Sequence, residues 1–205
     1  MTIEYYDKFS KVYDILSPKC YYHAARAFAV NQLSLQNGQT VLNLPCGTGQ
    51  NFDYIQGYLC GSGQIIGIDL SSGMLQEAKK KVAKCGWENI CLYQADARKI
   101  DRNWLMASSL GQTDVNAILC DLGLSGFPQW RQIIDNMLEL LRPGGTFVIM
   151  DWYLPQPTLR ASIIKWIGKG EVDRPLYQYL ESKVTDFKVN TSFNRGGVFV
   201  ATGIK

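Results

Sequence analysis

"VLNLPCGTGQN", residues 41–51, decides how the rest of the chain is read. An apolar, strand-like run breaks into a cysteine, two glycines and small polar residues, and a helical pattern follows. Gly47 and Gly49 carry no side chain, so the backbone there can approach a ligand that any Cβ would block. The helix expected from Gln50 aims its unpaired N–H groups at the same place, which suits a negative group. The turn therefore has the makings of a nucleotide-type site.

The segments that follow repeat the same alternation. "TVLNL" (40–44), "QIIGID" (64–69), "ICLYQAD" (90–96), "VNAILCD" (115–121) and "TFVIMDWY" (146–153) read as strands. Helical patterns separate them at 50–59, at 72–86 with Gly86 as the stop, weakly at 101–110, and at 130–145, where Pro143 and two glycines end the run. Strand–helix alternation predicts a doubly wound α/β fold with a mostly parallel sheet and right-handed crossovers. Amphipathic stretches follow around Ile163–Trp166 and Leu176–Leu180, and the chain ends in two alternating runs that meet at "NRGG". That is a hairpin signal, and it implies one antiparallel strand. We expect a single domain, with residues 1–35 as an N-terminal helical lid and 36–205 as the core.

In such a sheet ligands sit outside the carboxyl ends of the strands, where the winding reverses. Asp69 ends the second strand twenty residues after Gly49, a spacing at which an acid accepts from ribose hydroxyls. It equally suits a helix N-cap. Asp96 and Ala97 end the third strand, where a carboxylate and a backbone N–H read an adenine edge. A dinucleotide loop wants a third glycine where Phe52 stands, and no phosphate-binding G-x-x-x-x-G-K motif is present.

Bulk properties narrow the classes further. The chain has 205 residues, 46% of them hydrophobic and 19% charged, which are globular proportions. A net charge of +3 without a basic, aromatic-interleaved stripe argues against a nucleic-acid partner, and "KKKVAK" (79–84) reads as a solvated helix face. Neither a membrane span nor a signal-peptide core is evident, so a cytoplasmic location is expected, with peripheral membrane contact left open. Six scattered cysteines and one histidine predict reduced thiols and no metal site.

Four ordered stretches, "VLNLPCGTGQN", "GIDLSSGML", "YQADA" and "LLRPGGTFVIMD", resemble the motifs of class I S-adenosylmethionine-dependent methyltransferases. The chain is most similar to the small quinone C-methyltransferases and the phospholipid or amine N-methyltransferases, and "YYDKFSKVYDIL" resembles their tyrosine-bearing lead-in helix, with Tyr13 on it. The resemblance implies a seven-stranded sheet whose last strand is antiparallel, and S-adenosylmethionine as the cofactor. It implies that Cys46, Gly47, Thr48 and Gly49, with Asn51 beside them, wrap the methionine part. Asp69 would hold the ribose, Leu70 and Met74 flank the adenosine, Asp96 and Ala97 face the adenine, and Cys120 to Leu122 lie near the sulfonium. Two positions depart from the family. Asn43 stands where an acid is usual, and Pro45, with φ fixed near about −65° and no N–H, stands where a glycine is usual.

Methyl transfer from a sulfonium needs alignment and desolvation more than a dedicated base. His23 and Asp121 are the candidate catalytic residues, His23 if its helix lids the crevice and Asp121 as the acid at the fourth strand end. Asp151 ends the fifth strand, where it also suits a turn cap, and Tyr21, Tyr22, Trp152 and Tyr153 suit either an acceptor pocket or the core. The absence of a large cap insertion predicts an open acceptor site for a small-molecule or lipid acceptor, an amine, a phenol or a quinone-like ring. Two alternatives stand beside transfer. One is a cofactor-binding scaffold without activity; the other is a non-methylating reaction such as a cyclisation on the same fold.

Overall fold

The computed structural model describes residues 19–205, so the stretch expected to form a lead-in helix, with Tyr13, lies outside the described residues. The strands form one seven-stranded sheet in the order β3-β2-β1-β4-β5-β7-β6. These are β1 (Thr40–Asn43), β2 (Gln64–Asp69), β3 (Ile90–Gln94), β4 (Val115–Asp121), β5 (Leu141–Trp152), β6 (Thr185–Ser192) and β7 (Val198–Ile204). β1 pairs in parallel with both β2 and β4, so the winding reverses between β1 and β4. Only β7 runs against its neighbours, pairing antiparallel with β5 and with β6, as the hairpin signal predicts. The seven strands and the antiparallel hairpin agree with the expected fold.

Alternation along the strands splits the core into two layers. Val41, Ile65, Leu119 and Met150 face α1 (Lys19–Gln32), α2 (Phe52–Leu59) and α3 (Ser72–Cys85). Leu42, Ile66, Ile118 and Ile149 face the other way, towards α4 (Arg102–Leu105), α5 (Trp130–Leu140) and α7 (Leu176–Glu181). Strands buried on both faces read as near-continuous apolar runs, which is why "QIIGID" and "VNAILCD" are so rich in aliphatics. A further helix, α6 (Leu159–Gly168), follows β5 on the first side.

One boundary differs from the sequence expectations. α5 ends at Leu140, not at the Pro143-Gly144-Gly145 run. The segment 142–145 instead bulges out between the paired stretches of β5, with Gly144 at φ 74° and its N–H bonded to the C-terminal Lys205 carbonyl. Asp69 is not the cap of α3; Ser71 is, its side chain accepting from Met74 N at 3.2 Å. Trp152 and Tyr22 pack edge to face in the core, and Tyr153 packs on Tyr177. Tyr21 is exposed. Large aromatics at a sheet end bury more area by packing on one another than by lining an open cleft.

Candidate active site

A cavity of about 310 Å³ opens at the carboxyl ends of β1, β2 and β4, beside the point where the winding reverses. Its floor is the loop after β1. Leu44 N bonds to Leu119 O and Cys46 N to Ile68 O, so the loop is tied to both neighbouring strands. Between them lies Pro45, joined to Leu44 by a cis peptide bond. Its ring packs on Gly123, where an added Cβ would overlap it. The left-handed turns of this loop fall at Gly47 and Gly49, with φ 54° and 77°, and not at position 45. A proline there therefore meets no demand for positive φ.

The two glycines serve different ends. A Cβ on Gly47 would meet nothing within 4 Å, so this glycine leaves the cavity open. A Cβ on Gly49 would lie 2.5 Å from the Phe52 ring, so this one makes room for the core. Phe52 is fully buried and its ring also approaches Gly67 of β2. The close helix–strand approach that a dinucleotide loop builds with a third glycine is made here by a phenylalanine over a glycine on the next strand.

Asp69 fixes the near wall. Its Oδ2 accepts from Gly47 N at 2.8 Å and its Oδ1 from Ser71 N at 2.9 Å, so one carboxylate ties the β1 loop to the β2 loop. Behind it, Asp121 ends β4 and is almost wholly buried. Its Oδ2 accepts from Arg26 Nε at 2.9 Å and from Asn51 Nδ2 at 2.8 Å. Arg26 reaches in from α1 and also donates to Gln50 Oε1. Asn51 Nδ2 lies 3.5 Å from Asn43 Oδ1, and Asn43 Nδ2 donates to Leu119 O at 3.1 Å. Asp121 Oδ1 and Asn51 Oδ1 are buried without a partner among the described residues. A buried acceptor left unpaired is costly, and a ligand donor is one way to satisfy it.

The wall that follows β3 is held by an ion pair. Asp96 is engaged by Arg98, whose Nε lies 2.9 and 3.0 Å from the two carboxylate oxygens. It also accepts from Arg98 N and caps the short turn Ala97–Lys99. The Arg98 side chain holds the Asp96 carboxyl below its ordinary range. Ala97 is buried and lines the wall together with Leu70 and Met74. Across the cavity stand Leu122, Gly123, Gly126 and Phe127, in and around the turn Leu124–Gly126. Asp151, buried beneath that turn, accepts from Ser125 N and Ser125 Oγ, both at 2.9 Å.

Of the residues singled out in the sequence, Pro45, Cys46, Gly47, Thr48, Asn51, Asp69, Leu70, Met74, Asp96, Ala97, Asp121 and Leu122 meet on this one cavity. Asn43 and Gly49 support it from behind. Cys120 does not line it; the thiol points into the α5 side of the core, where burial pushes its pKa up. His23 is also absent from the lining, being exposed on α1 with its Nδ1 2.8 Å from Tyr54 Oη. Arg26, three positions further along α1, does line it. Among the lining residues that sequence reasoning missed, with Gln50, Gly123 and Phe127, is Arg26. Its one signal was a lone arginine among the small apolar residues of "HAARAFA".

A doubly wound sheet with the antiparallel β7, a glycine turn after β1 and acids ending β2 and β4 defines the architecture of a nucleoside-cofactor enzyme. A profile described as "Methyltransferase domain" matches residues 41–145, just over half the chain, and the chain belongs to that family. It is 28% identical over 134 residues to a demethylmenaquinone methyltransferase of Shouchella clausii, covering 65% of this chain and 53% of that relative. The chain thus spans about half the length of that curated relative. Among solved structures it resembles a SAM dependent methyltransferase from Aquifex aeolicus, with TM-score 0.66, 17% identity and coverage of 87% and 88% of the two chains. It also resembles the cyclase SpnF, with TM-score 0.70, 15% identity and coverage of 89% and 80%. Likenesses at this identity speak for the fold, which serves more than one reaction.

Proposed function

We propose that the chain is a methyltransferase that takes S-adenosylmethionine and methylates a small, quinone-like aromatic acceptor. The observation that carries the reading is the pairing of Gly47, open to the cavity and at φ 54°, with Asp69, whose carboxylate grips the Gly47 N–H. The residues present fit the cofactor on two counts. The glycine loop is a cradle that a Cβ would fill, and Asn51 Oδ1 is a buried acceptor awaiting a donor. Cys46 to Asn51 would hold the methionine part, Asp69 the ribose, and Leu70, Met74 and Ala97 the adenine. When bound, the cofactor supplies an electrophilic methyl group.

What the chain adds is orientation, desolvation and a proton acceptor. Asp69 spends one bond from each oxygen on backbone N–H groups, which fixes its plane for a ribose hydroxyl. Asp96 is held by Arg98. Asp121 therefore offers the buried carboxylate oxygen on the lining that lacks a partner among the described residues. We assign it to the proton lost when a hydroxyl or carbon acceptor gains a methyl, and Arg26 and Asn51 orient it. The apolar far wall of Leu122 and Phe127, together with the relatives' name, supports a ring-shaped acceptor.

Product mass tests the reaction. Incubation with S-adenosylmethionine and a demethylated naphthoquinol should give a product heavier by one methyl and S-adenosylhomocysteine in equal amount. Turnover of a substrate without mass change or homocysteine product would favour the cyclase-type alternative.

A further inference from the structure

α6 is apolar on two opposite faces. Inward, Ala161 is buried and Ile164 packs against the core. Outward, Leu159, Ile163, Trp166 and Ile167 recur at spacings of four and three and so share one stripe. Leu159 is 80% exposed and Trp166 72%. A helix with a second, outward apolar face normally has protein or lipid against it.

The charges around the stripe point to its partner. α6 contains Arg160 and Lys165 and no acid, and Lys169 follows it. The Lys169 ammonium lies 5.3 Å from the centre of the Trp166 ring. Arg160 bonds to the carbonyls of Asn194 and Arg195, which brings the exposed Arg195 turn alongside. Two acids lie close, Glu171 and Asp173, and Glu171 pairs with Lys165. The patch is thus net cationic, with an exposed tryptophan beside lysine, the composition of helices that lie in the headgroup layer of an anionic bilayer.

The chain just beyond α6 is fastened to the cavity rim. Glu171 N bonds to Ser125 O at 2.9 Å, and Arg174 donates to Phe127 O. Phe127 and Gly126 line the cavity.

We propose that α6 docks the protein on anionic membrane, laying its outer stripe among the lipids and setting the Gly126–Phe127 rim at the bilayer surface. Docking stands on α6 alone. That an apolar, quinone-like acceptor then enters from the membrane rests on the function proposed above.

Co-sedimentation of the full chain with vesicles tests it, using phosphatidylglycerol mixed into phosphatidylcholine against phosphatidylcholine alone. The chain should bind the anionic vesicles, less strongly at high salt. A Leu159→Ser, Trp166→Ser double variant should bind about tenfold or more weakly, with its affinity for S-adenosylhomocysteine and its melting temperature unchanged. Failure of the parent chain to bind, or equal binding by the variant, overturns docking and leaves the enzymatic reading standing. So does a marked drop in the variant's melting temperature, which would mean the stripe is covered by the chain itself. A dimer in gel filtration that the variant dissolves assigns the stripe to a second copy and likewise overturns it. Docking with no methyl transfer to any acceptor would instead remove the enzymatic reading.

Discussion

At the scale of single residues, the two departures from the family pattern have separate explanations. Asn43 donates to Leu119 O and accepts from Asn51, whose amide also reaches Asp121. An aspartate at 43 would only accept, so it would forfeit the Leu119 bond and set a second buried carboxylate beside Asp121. Asp121, ion-paired with Arg26, already places a buried negative charge on the other side of Asn51. Asn43→Asp should therefore lower stability by about 1–3 kcal/mol in urea unfolding at neutral pH, with no gain in cofactor affinity. Tighter binding in that variant would show that the natural loop is compromised.

Asp151 sets a pH dependence. Burial raises its carboxyl from 3.8 to about 6, against the bonds from Ser125 and Trp152, which pull it down. The folded chain thus holds this proton more tightly than the unfolded chain does. The resulting stability is fully present below about pH 4 and is lost as the pH rises through about 6, on the order of 3 kcal/mol in all. Asp151→Asn does not ionise, so the fall in melting temperature over that window should flatten. A profile that keeps its slope in the variant would assign it to other groups.

Among elements, the turn Leu124–Gly126 and the β1 loop fit each other through Gly123 and Pro45. Gly123→Ala would drive a methyl into the proline ring and should cost about 1–3 kcal/mol. Adding Pro45→Ala, which removes the ring, should recover most of that loss, whereas strictly additive effects in thermal unfolding would mean that the two do not touch. The β1 loop itself was legible in the sequence because its signals are local: glycines at fixed offsets and an acid at a strand end. Asp121 was legible for the same reason. Arg26 was not, since its role depends on α1 bringing it against a residue 95 positions away. The Asp96–Arg98 pair lies two residues apart, yet both adenine contact and ion pairing suit an aspartate at a strand end. The end of α5 was misplaced because Pro143 reads as a helix stop, whereas the helix already yields at Leu140 to the strand pairing of Leu141 with Val115.

For the whole molecule, alternation of strands and helices was enough to forecast the doubly wound sheet and its terminal hairpin, because buried parallel strands leave so plain an apolar record. The outer stripe of α6 was visible only as amphipathicity around Ile163 to Trp166; that it points outward depends on which face the sheet takes up. We propose that the cavity at the winding reversal is a site for S-adenosylmethionine. Isothermal titration calorimetry with S-adenosylhomocysteine tests this most directly, on the parent chain and on Asp69→Ala. Saturable binding at one site per chain, weakened at least about tenfold in the variant by loss of a charged hydrogen-bonding group, is the predicted result. No binding by the parent chain at millimolar ligand, or equal binding by both, would contradict it.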